Sequence, residues 1–163
     1  MAKSKEEKTN VMRVLEQKKI AYSAHTYPHE EGVAVDGVTV AQSMGFDPAA
    51  VFKTLVARGA SKQYYVFDVP VAENLDLKKA AKAVGEKSIE MIHQKELLPL
   101  TGYVHGGCSP VGMKKLFPTV IDASAEDLET MIISAGKIGY QVELSPRDLA
   151  ALVRAKFAEL IAE

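Results

Sequence analysis

The stretch "VFKTLVARGASKQYYVFDVPV", residues 51–71, has the pattern of two β-strands joined by a tight turn. Its two halves, "VFKTLVAR" and "YYVFDVPV", are rich in the β-branched and aromatic residues that favour strands. The segment "GASKQ" between them has the small and polar residues of a hairpin turn. The sequence therefore predicts an antiparallel strand pair over residues 52–71.

Lys53 is the candidate functional residue of this hairpin, because it is a single cation in an apolar run. On a strand, Phe52 and Thr54 face the side opposite to Lys53, so burial of the strand could turn the ammonium toward a cavity. A buried lysine without a partner loses stability or its proton, so such a site needs an anionic ligand or a carboxylate. The alternative is a lysine whose stem covers the core while its ammonium reaches water.

Before the hairpin, the sequence predicts a helix, a strand, a loop and a second helix. The segment "NVMRVLEQKK" places three apolar residues on one helical face, and "AYSAHTY" has the pattern of a short strand that ends at Pro28. The segment "YPHEEGVAVDGV", residues 27–38, is typical of a long ordered loop. "TVAQSMG" predicts a short helix that ends at Gly45.

After the hairpin, one helix and several short strands are expected. "DLKKAAKAVG" predicts a helix that Asp76 caps and Gly85 terminates. The segments "KELLPLTG" and "GGCSPVGMKK" are expected to be connections. Short extended segments are predicted at residues 89–92, 102–105, 119–122, 130–134 and 139–144.

The last helix has the clearest pattern in the sequence. Ser145 is suited to cap it, and Pro146 is suited to its first turn. Its predicted buried stripe consists of Leu149, Leu152, Val153, Phe157, Leu160 and Ile161. The sequence therefore predicts a C-terminal helix that packs against the sheet as far as residue 161.

Together these elements predict an α+β fold in a single domain, residues 1–163. The 163 residues are 47% hydrophobic, which suits one compact core and makes a second core unexpected. About six to seven short strands usually curl or close. We therefore expect a small mixed β-barrel or a strongly bent sheet surrounded by helices.

Charge and cysteine content limit the partners and the compartment. The 20 Lys and Arg nearly balance the 21 Asp and Glu, so binding to nucleic acid or to a membrane needs a local patch. The single cysteine excludes an internal disulfide, and "MAKSKEEKTN" contains no apolar segment suited to a signal peptide. No stretch approaches the ~20 apolar residues of a membrane helix. A soluble protein of the reducing cytoplasm, with no membrane partner, is expected.

Two glycine-containing loops are candidates for binding through main-chain N–H groups. "TGYVHGGCSP" contains the adjacent Gly106 and Gly107, which let the backbone approach a ligand and could support a developing oxyanion. "ISAGKIG" repeats this arrangement at a strand end, with Ser134 before Gly136. For both loops the alternative is a turn that simply requires glycine.

The remaining polar candidates have ordinary explanations as well. Tyr27 in "HTYPH" could stack or hydrogen-bond at the mouth of a cleft, or it could be a half-buried aromatic residue. His25 and His29 lack the spacing and the neighbouring ligands of a zinc site, so no metal is expected. Cys108 follows the glycine pair, but the sequence shows no His or Asn partner that would activate it.

Six segments, taken in this order and at these separations, are more specific than any one of them. They are "HTY" at 25–27, "VFKTLV" at 51–56, "LDLKKAAKAVG" at 75–85, "TGYVHGGCSP" with the following "KK" at 101–115, "ISAGKIG" at 133–139 and "SPRDLA" at 145–150. Over nearly its whole length the chain resembles the YbaK-type aminoacyl-tRNA deacylases, relatives of the editing domain inserted in bacterial prolyl-tRNA synthetases. It departs from their pattern at Ala135, where a second glycine is frequent, and at Cys108, where an aliphatic residue is common.

The resemblance implies a small mixed β-barrel surrounded by helices, which hydrolyses the ester between tRNA and a wrongly attached amino acid. By motif match, the catalytic positions fall on Lys53, Gly106 and Gly107. The substrate-binding positions fall on Tyr27, Thr54, Ser134 and Gly136, with Gly136 behind Ser134. Lys53 would face inward because it binds an anion, either a phosphate of the terminal nucleotide or the carbonyl oxygen. Neither a metal nor a cofactor is implied.

The implied substrate is cysteine mischarged onto proline tRNA, bound through the aminoacylated 3′ end. The resemblance suggests that the substrate thiol attacks its own carbonyl and leaves as a cyclic thiolactone, so that no strong protein nucleophile is required. Prolyl-tRNA synthetase is the suggested helper.

Five lysines are expected to form a local basic surface for tRNA, namely Lys78, Lys79, Lys82, Lys114 and Lys115. The alternative is that they merely belong to solvated helix faces without a binding role. The alternatives are a deacylase for another small amino acid, such as alanine on proline tRNA, and a catalytically silent module that binds tRNA or a nucleotide.

Overall fold

The computed structural model describes residues 8–30 and 33–162. The segment "MAKSKEE" at the start of the chain and Glu31 and Gly32 of the predicted loop lie outside the described residues, so the expectations for them stay predictions. The described helices are α1 (Asn10–Gln17), α2 (Gly37–Met44), α3 (Leu77–Val84), α4 (Gln94–Thr101) and α5 (Pro146–Val153). The described strands are β1 (Ser23–Thr26), β2 (Phe52–Gly59), β3 (Tyr64–Pro70), β4 (Ile89–Met91), β5 (Thr119–Asp122), β6 (Met131–Ser134), β7 (Tyr140–Leu144) and β8 (Lys156–Ala158).

The strands form two sheets that meet at the start of β2. The larger sheet has the order β4-β2-β3-β5-β8, with antiparallel pairing of β2 to β3 and to β4 and parallel pairing from β3 to β5 and β8. The smaller sheet is antiparallel, with the order β1-β7-β6. A parallel bridge between Val51 and Ile132 joins the start of β2 to β6. The glycine loop after β6 is therefore held close to the central hairpin.

The central hairpin confirms the antiparallel pair predicted over residues 52–71. Its register places Lys53 opposite Val69 and Thr54 opposite Asp68. Because alternate residues of a strand point to opposite faces, Thr54 and Asp68 share one face of the sheet and Lys53 lies on the other. This register decides which side chains near the start of β2 can interact.

The predicted helix ends are confirmed where a side chain or a glycine supplies them. One Asp76 oxygen accepts hydrogen bonds from the N–H groups of Lys78 and Lys79, which satisfies donors at the start of α3. Gly85 ends α3 and Gly45 ends α2, and both adopt the left-handed conformation that glycine tolerates. These local signals act within a few residues and can therefore be read from sequence.

The predicted barrel is wrong. The described strands form two open sheets, and there are eight strands, more than we expected. A barrel closes only when its two outermost strands pair with each other. Here the outermost strands of the larger sheet, β4 and β8, each have three residues and pair with β2 and β5 respectively. The α+β class is correct, but the sheet arrangement is not a closed barrel.

The C-terminal helix is shorter than predicted. α5 ends at Val153, and Arg154 adopts a left-handed conformation with φ 58°. The following residues form β8, which pairs in parallel with β5. The N–H of Leu160 then donates to the Asp122 carboxylate at 2.9 Å. The pairing of β8 with β5 therefore divides the predicted apolar stripe between α5 and a strand.

Two further predictions on the segment between β4 and β5 are wrong. The segment "KELLPLTG" does not connect strands but contributes most of α4, whose N-terminus is closed by a hydrogen bond from the His93 N–H to Glu96. Its internal Pro99 lowers helix propensity, which hides the helix from a sequence pattern. The strand expected at residues 102–105 is absent because Gly102, with φ 89°, terminates α4 and a loop follows.

Buried side chains cover both faces of the larger sheet. Val56 and Val66 belong to a core that also contains α1 and the smaller sheet, whereas Phe67 and Val69 pack against α3 on the other face. The alternation along β2 and β3 accounts for this division. None of the helices in the described residues has the length and apolar character needed to cross a bilayer.

Candidate active site

A cavity of about 530 Å³ lies where the first residues of β2 meet the two glycine-containing loops. Its wall brings together five of the seven predicted site residues, namely Tyr27, Lys53, Thr54, Gly106 and Ser134. Residues 34–37, within the predicted ordered loop, form another part of the wall. Segments that are distant in sequence therefore surround one space large enough for a small ligand.

The cavity lies beside an edge of the central hairpin. β4 pairs with β2 only at Ala57–Gly59, so within the described chain residues 53–55 have a paired strand on one side only, β3. Lys53 and Thr54 point to opposite faces of β2, yet both line the cavity. The cavity therefore extends around the strand edge and is reached by side chains from both faces.

Lys53 is half-buried in this wall. Burial lowers the pKa of its ammonium, although the carboxylates of Asp36 and Glu73 act in the opposite direction. Asp36 lines the same cavity and caps α2. A cation that has lost part of its hydration favours the binding of an anionic group, as the position of Lys53 in the sequence suggested.

Asp68 is a buried acid next to the cavity that the sequence analysis missed. The Thr54 hydroxyl donates to Asp68 Oδ1 at 2.6 Å, whereas Asp68 Oδ2 has no hydrogen-bond partner among the described residues. Burial raises the pKa of Asp68 to about 7, and the hydrogen bond from Thr54 acts to lower it. The only signal in the sequence was one acidic residue inside the apolar run "YYVFDVP".

Cys108 lines the cavity as a neutral thiol. Burial, together with a smaller effect of the nearby Asp68 carboxylate, raises its pKa to about 12. Because the thiolate is the nucleophilic form of cysteine, a thiol with this pKa is unreactive at neutral pH. Cys108 therefore shapes the cavity and does not supply a nucleophile.

Gln141 is a second residue of the wall that the sequence analysis missed. Its side chain is 7% exposed and lines the cavity, and its Oε1 has no hydrogen-bond partner among the described residues. A buried carbonyl oxygen without a partner favours a ligand that donates a hydrogen bond. His105 also lines the cavity, from an exposed position next to Gly106.

Gly106 and Ser134 reach the cavity from the two loops. Gly106 has φ +90°, and a Cβ there would lie 2.7 Å from the Cβ of Ala34, so this wall position requires glycine. The Ser134 oxygen accepts a hydrogen bond from the Gly136 N–H at 3.2 Å, which leaves its own proton for donation. The main-chain N–H of Tyr27 donates to the Gly139 carbonyl, which ties Tyr27 to the same loop.

Gly107 and Gly136 are not part of the wall. The Gly107 N–H donates to the Val104 carbonyl at 3.0 Å, and a Cβ on Gly107 would lie 3.1 Å from the Ile138 nitrogen. Gly136 has φ +92°, and a Cβ there would lie 2.9 Å from the ring of Tyr103. In the structure both glycines therefore allow the two loops to pack closely, behind the residues that line the cavity.

Gly136→Ala is expected to lower the free energy of unfolding by about 2–4 kcal/mol, because it combines a left-handed backbone with overlap against Tyr103. Gly85→Ala is the matched control, since Gly85 has φ +74° but no atom within 4 Å of the added Cβ. It should cost about 1–2 kcal/mol. Urea unfolding of both variants measures the difference. Equal losses would show that packing behind Ser134 contributes nothing.

With this geometry established, the chain can be assigned to a class of protein. Residues 32–152 match the aminoacyl-tRNA editing domain, so the chain belongs to that family. It is accordingly an enzyme of the trans-editing aminoacyl-tRNA deacylases, which hydrolyse the ester bond of aminoacyl-tRNA. The family resemblance stated from sequence is confirmed.

Named relatives agree with this class. The chain is 44% identical over 161 residues to EbsC of Enterococcus faecalis, provisionally named a Cys-tRNA(Pro)/Cys-tRNA(Cys) deacylase, with 98% of each chain covered. It is similar to the crystal structure of a protein provisionally described as a trans-editing enzyme for prolyl-tRNA synthetase, at 26% identity and TM-score 0.79, covering 94% of this chain and 95% of the other. A hypothetical protein, APE2540, shares the fold at 19% identity and TM-score 0.82, covering 93% of this chain and 99% of the other.

Proposed function

We propose that this enzyme removes cysteine from mischarged proline tRNA in trans. The observation that supports the proposal is the cavity that Lys53, Gly106 and Ser134 line from separate segments of the chain. The name of the Enterococcus faecalis relative supports cysteine as the amino acid. The neutral thiol of Cys108 supports a reaction that uses no protein nucleophile.

The proposed roles follow from where each residue lies. Lys53 binds a phosphate of the terminal nucleotide or the ester carbonyl oxygen, and the Gly106 amide supports the negative charge that develops on that oxygen. Tyr27, Thr54 and Ser134 bind the aminoacyl end of the tRNA from the cavity wall. Gly107 and Gly136 contribute by shaping the loops that carry Gly106 and Ser134.

The proposed chemistry uses the substrate's own thiol. Its sulfur attacks the ester carbonyl carbon, the bond from that carbon to the ribose oxygen breaks, and the thiol proton passes to the ribose oxygen. The products are tRNA with a free hydroxyl and a cyclic thiolactone, which water opens to cysteine. An ester is already activated, so the protein needs mainly to orient the thiol and to stabilise the oxyanion.

A panel of tRNA(Pro) carrying cysteine, S-methylcysteine or alanine tests this proposal. Methylation removes the attacking thiol, so we expect S-methylcysteine to be released about 10²-fold more slowly than cysteine, or slower still. The rate of loss of the labelled amino acid measures the effect. Release of alanine at the rate of cysteine would favour the alternative, a deacylase for small amino acids. Release of S-methylcysteine at the rate of cysteine would exclude thiol assistance.

The proposed partners are tRNA and prolyl-tRNA synthetase. tRNA binding is expected to use exposed lysines of α3 and of the loop before β5, although the ammonium groups of Lys79 and Lys114 also donate to the carbonyl oxygens of Ile161 and Pro99. We propose that prolyl-tRNA synthetase presents the mischarged tRNA. Addition of that synthetase is expected to raise the deacylation rate at low enzyme concentration, and an unchanged rate would contradict the partnership.

A further inference from the structure

Asp68 is a buried acid whose two oxygens are unequally satisfied. It is fully buried on β3, and only the oxygen bonded to Thr54 has a hydrogen-bond partner among the described residues. An unmatched buried polar atom costs stability. Asp122 on the neighbouring β5 shows the ordinary arrangement, because its oxygens accept from the N–H groups of Ser124 and Leu160.

The partner of Asp68 connects this acid with the cavity. Thr54 lies opposite Asp68 in the β2–β3 pair and lines the cavity. A hydroxyl has one proton and two lone pairs. When Thr54 donates its proton to Asp68, only the lone pairs remain for the cavity. In this state Thr54 accepts hydrogen bonds from a bound molecule and cannot donate one.

Among the described residues, no positively charged group compensates the charge of ionised Asp68. The thiol of Cys108 interacts electrostatically with Asp68 and also with the hydroxyl of Tyr103. Ile121, which pairs with Asp68 from β5, is apolar. Lys53 lies on the opposite face of β2. The carboxyl group can therefore change its protonation state near neutral pH, as its pKa of about 7 indicates.

We propose that Asp68 is a positioning residue for deacylation, which fixes the Thr54 hydroxyl as a hydrogen-bond acceptor toward the aminoacyl end of the substrate. This inference rests on the proposed function. Protonated Asp68 can instead donate to Thr54, which frees the Thr54 proton for the cavity and removes the acceptor. The bound substrate would then face a hydroxyl of the wrong polarity for its N–H, O–H or S–H donor.

The test compares single-turnover deacylation of cysteinyl-tRNA(Pro) by the wild type, Asp68→Asn, Thr54→Val and the double variant between pH 5.5 and pH 8.5. The ratio of wild-type to Asp68→Asn rates cancels the titration of the substrate's own amino group. We expect this ratio to rise from near one at low pH to about tenfold at high pH, the effect of one lost hydrogen bond. The midpoint should lie near the pKa of about 7.

The double variant separates positioning from general damage. If Asp68 acts through Thr54, Asp68→Asn should add nothing to the loss caused by Thr54→Val. Asp122→Asn is the control for a change in a buried aspartate, and its rate should keep the pH dependence of the wild type. A constant ratio across the pH range, or losses that multiply in the double variant, would overturn the proposal.

A second measurement does not depend on turnover. The carboxyl carbon of Asp68 can be followed by NMR as pH is varied in the full-length protein. Thr54→Val removes the bond that favours the charged form, so the pKa of Asp68 should rise in this variant. An unchanged pKa would overturn the coupling, even if no substrate of the panel is cleaved. Failure of the panel alone would overturn the proposed function and leave the coupling intact.

Discussion

Lys53→Ala is expected to slow the release of cysteine from tRNA(Pro) by about 10²–10³-fold, the loss that follows removal of one oxyanion-type donor. The reason is that Lys53 is the cation in the cavity wall, where its ammonium is partly dehydrated. Its side chain is only half-buried, so its removal should leave the thermal unfolding temperature nearly unchanged. Single-turnover deacylation and thermal unfolding of the same preparation measure both effects.

Two further variants sharpen this result. Lys87→Ala removes an exposed lysine between α3 and β4 and should keep the wild-type rate. Lys53→Arg retains the charge with a different geometry and should recover part of the lost rate if the role is electrostatic. A folded Lys53→Ala protein that still works at the wild-type rate would remove Lys53 from the mechanism.

Asp68→Asn is expected to change the pH dependence of stability more than any other single substitution in the hairpin. Asp68 has a folded-state pKa of about 7, raised from 3.8 mainly by burial. Since the folded state holds this proton more tightly than the unfolded state, the contribution of Asp68 to stability is most favourable at low pH and falls as pH rises from about 4 to about 7. A tenfold change in proton affinity corresponds to about 1.4 kcal/mol, so the total loss is about 4 kcal/mol.

Asparagine cannot ionise, so the variant should lack this loss. The free energy of unfolding of Asp68→Asn minus that of the wild type should therefore increase by about 4 kcal/mol between pH 4 and pH 8. Urea unfolding at both pH values measures the change. Asp122→Asn should be less stable than the wild type at both, because it replaces an acceptor of two main-chain hydrogen bonds. An equal pH dependence in Asp68→Asn and the wild type would show that Asp68 does not titrate in the folded state.

The slower deacylation expected of Asp68→Asn and its higher stability at high pH would together mark Asp68 as a residue retained for function. A substitution that stabilises the protein at high pH yet slows deacylation has the signature of an exchange between stability and activity. Substitution of a purely structural residue would lower stability and activity together. The hydrogen bond from Thr54 explains how a buried acid on β3 can affect a cavity that it does not line.

The site could be predicted from sequence only in part, and the reason differs between residues. Lys53 was recognisable because one cation interrupts an apolar strand, and Gly106 because adjacent glycines mark a loop with accessible amides. Asp68 and Gln141 were missed because each looks like an ordinary polar position of a strand. Their significance depends on burial and on an oxygen without a partner, and neither property has a local pattern.

The sequence by itself determined the parts of this protein that depend on neighbouring residues. The hairpin, the cap at Asp76 and the glycine that ends α3 were all predictable, because turn and capping preferences act over a few residues. Tertiary structure alone decided that the chain after Arg154 becomes a strand, because that strand exists through parallel pairing with β5. It also decided that Thr54 meets Asp68 beside the cavity, since the register of two strands sets that contact.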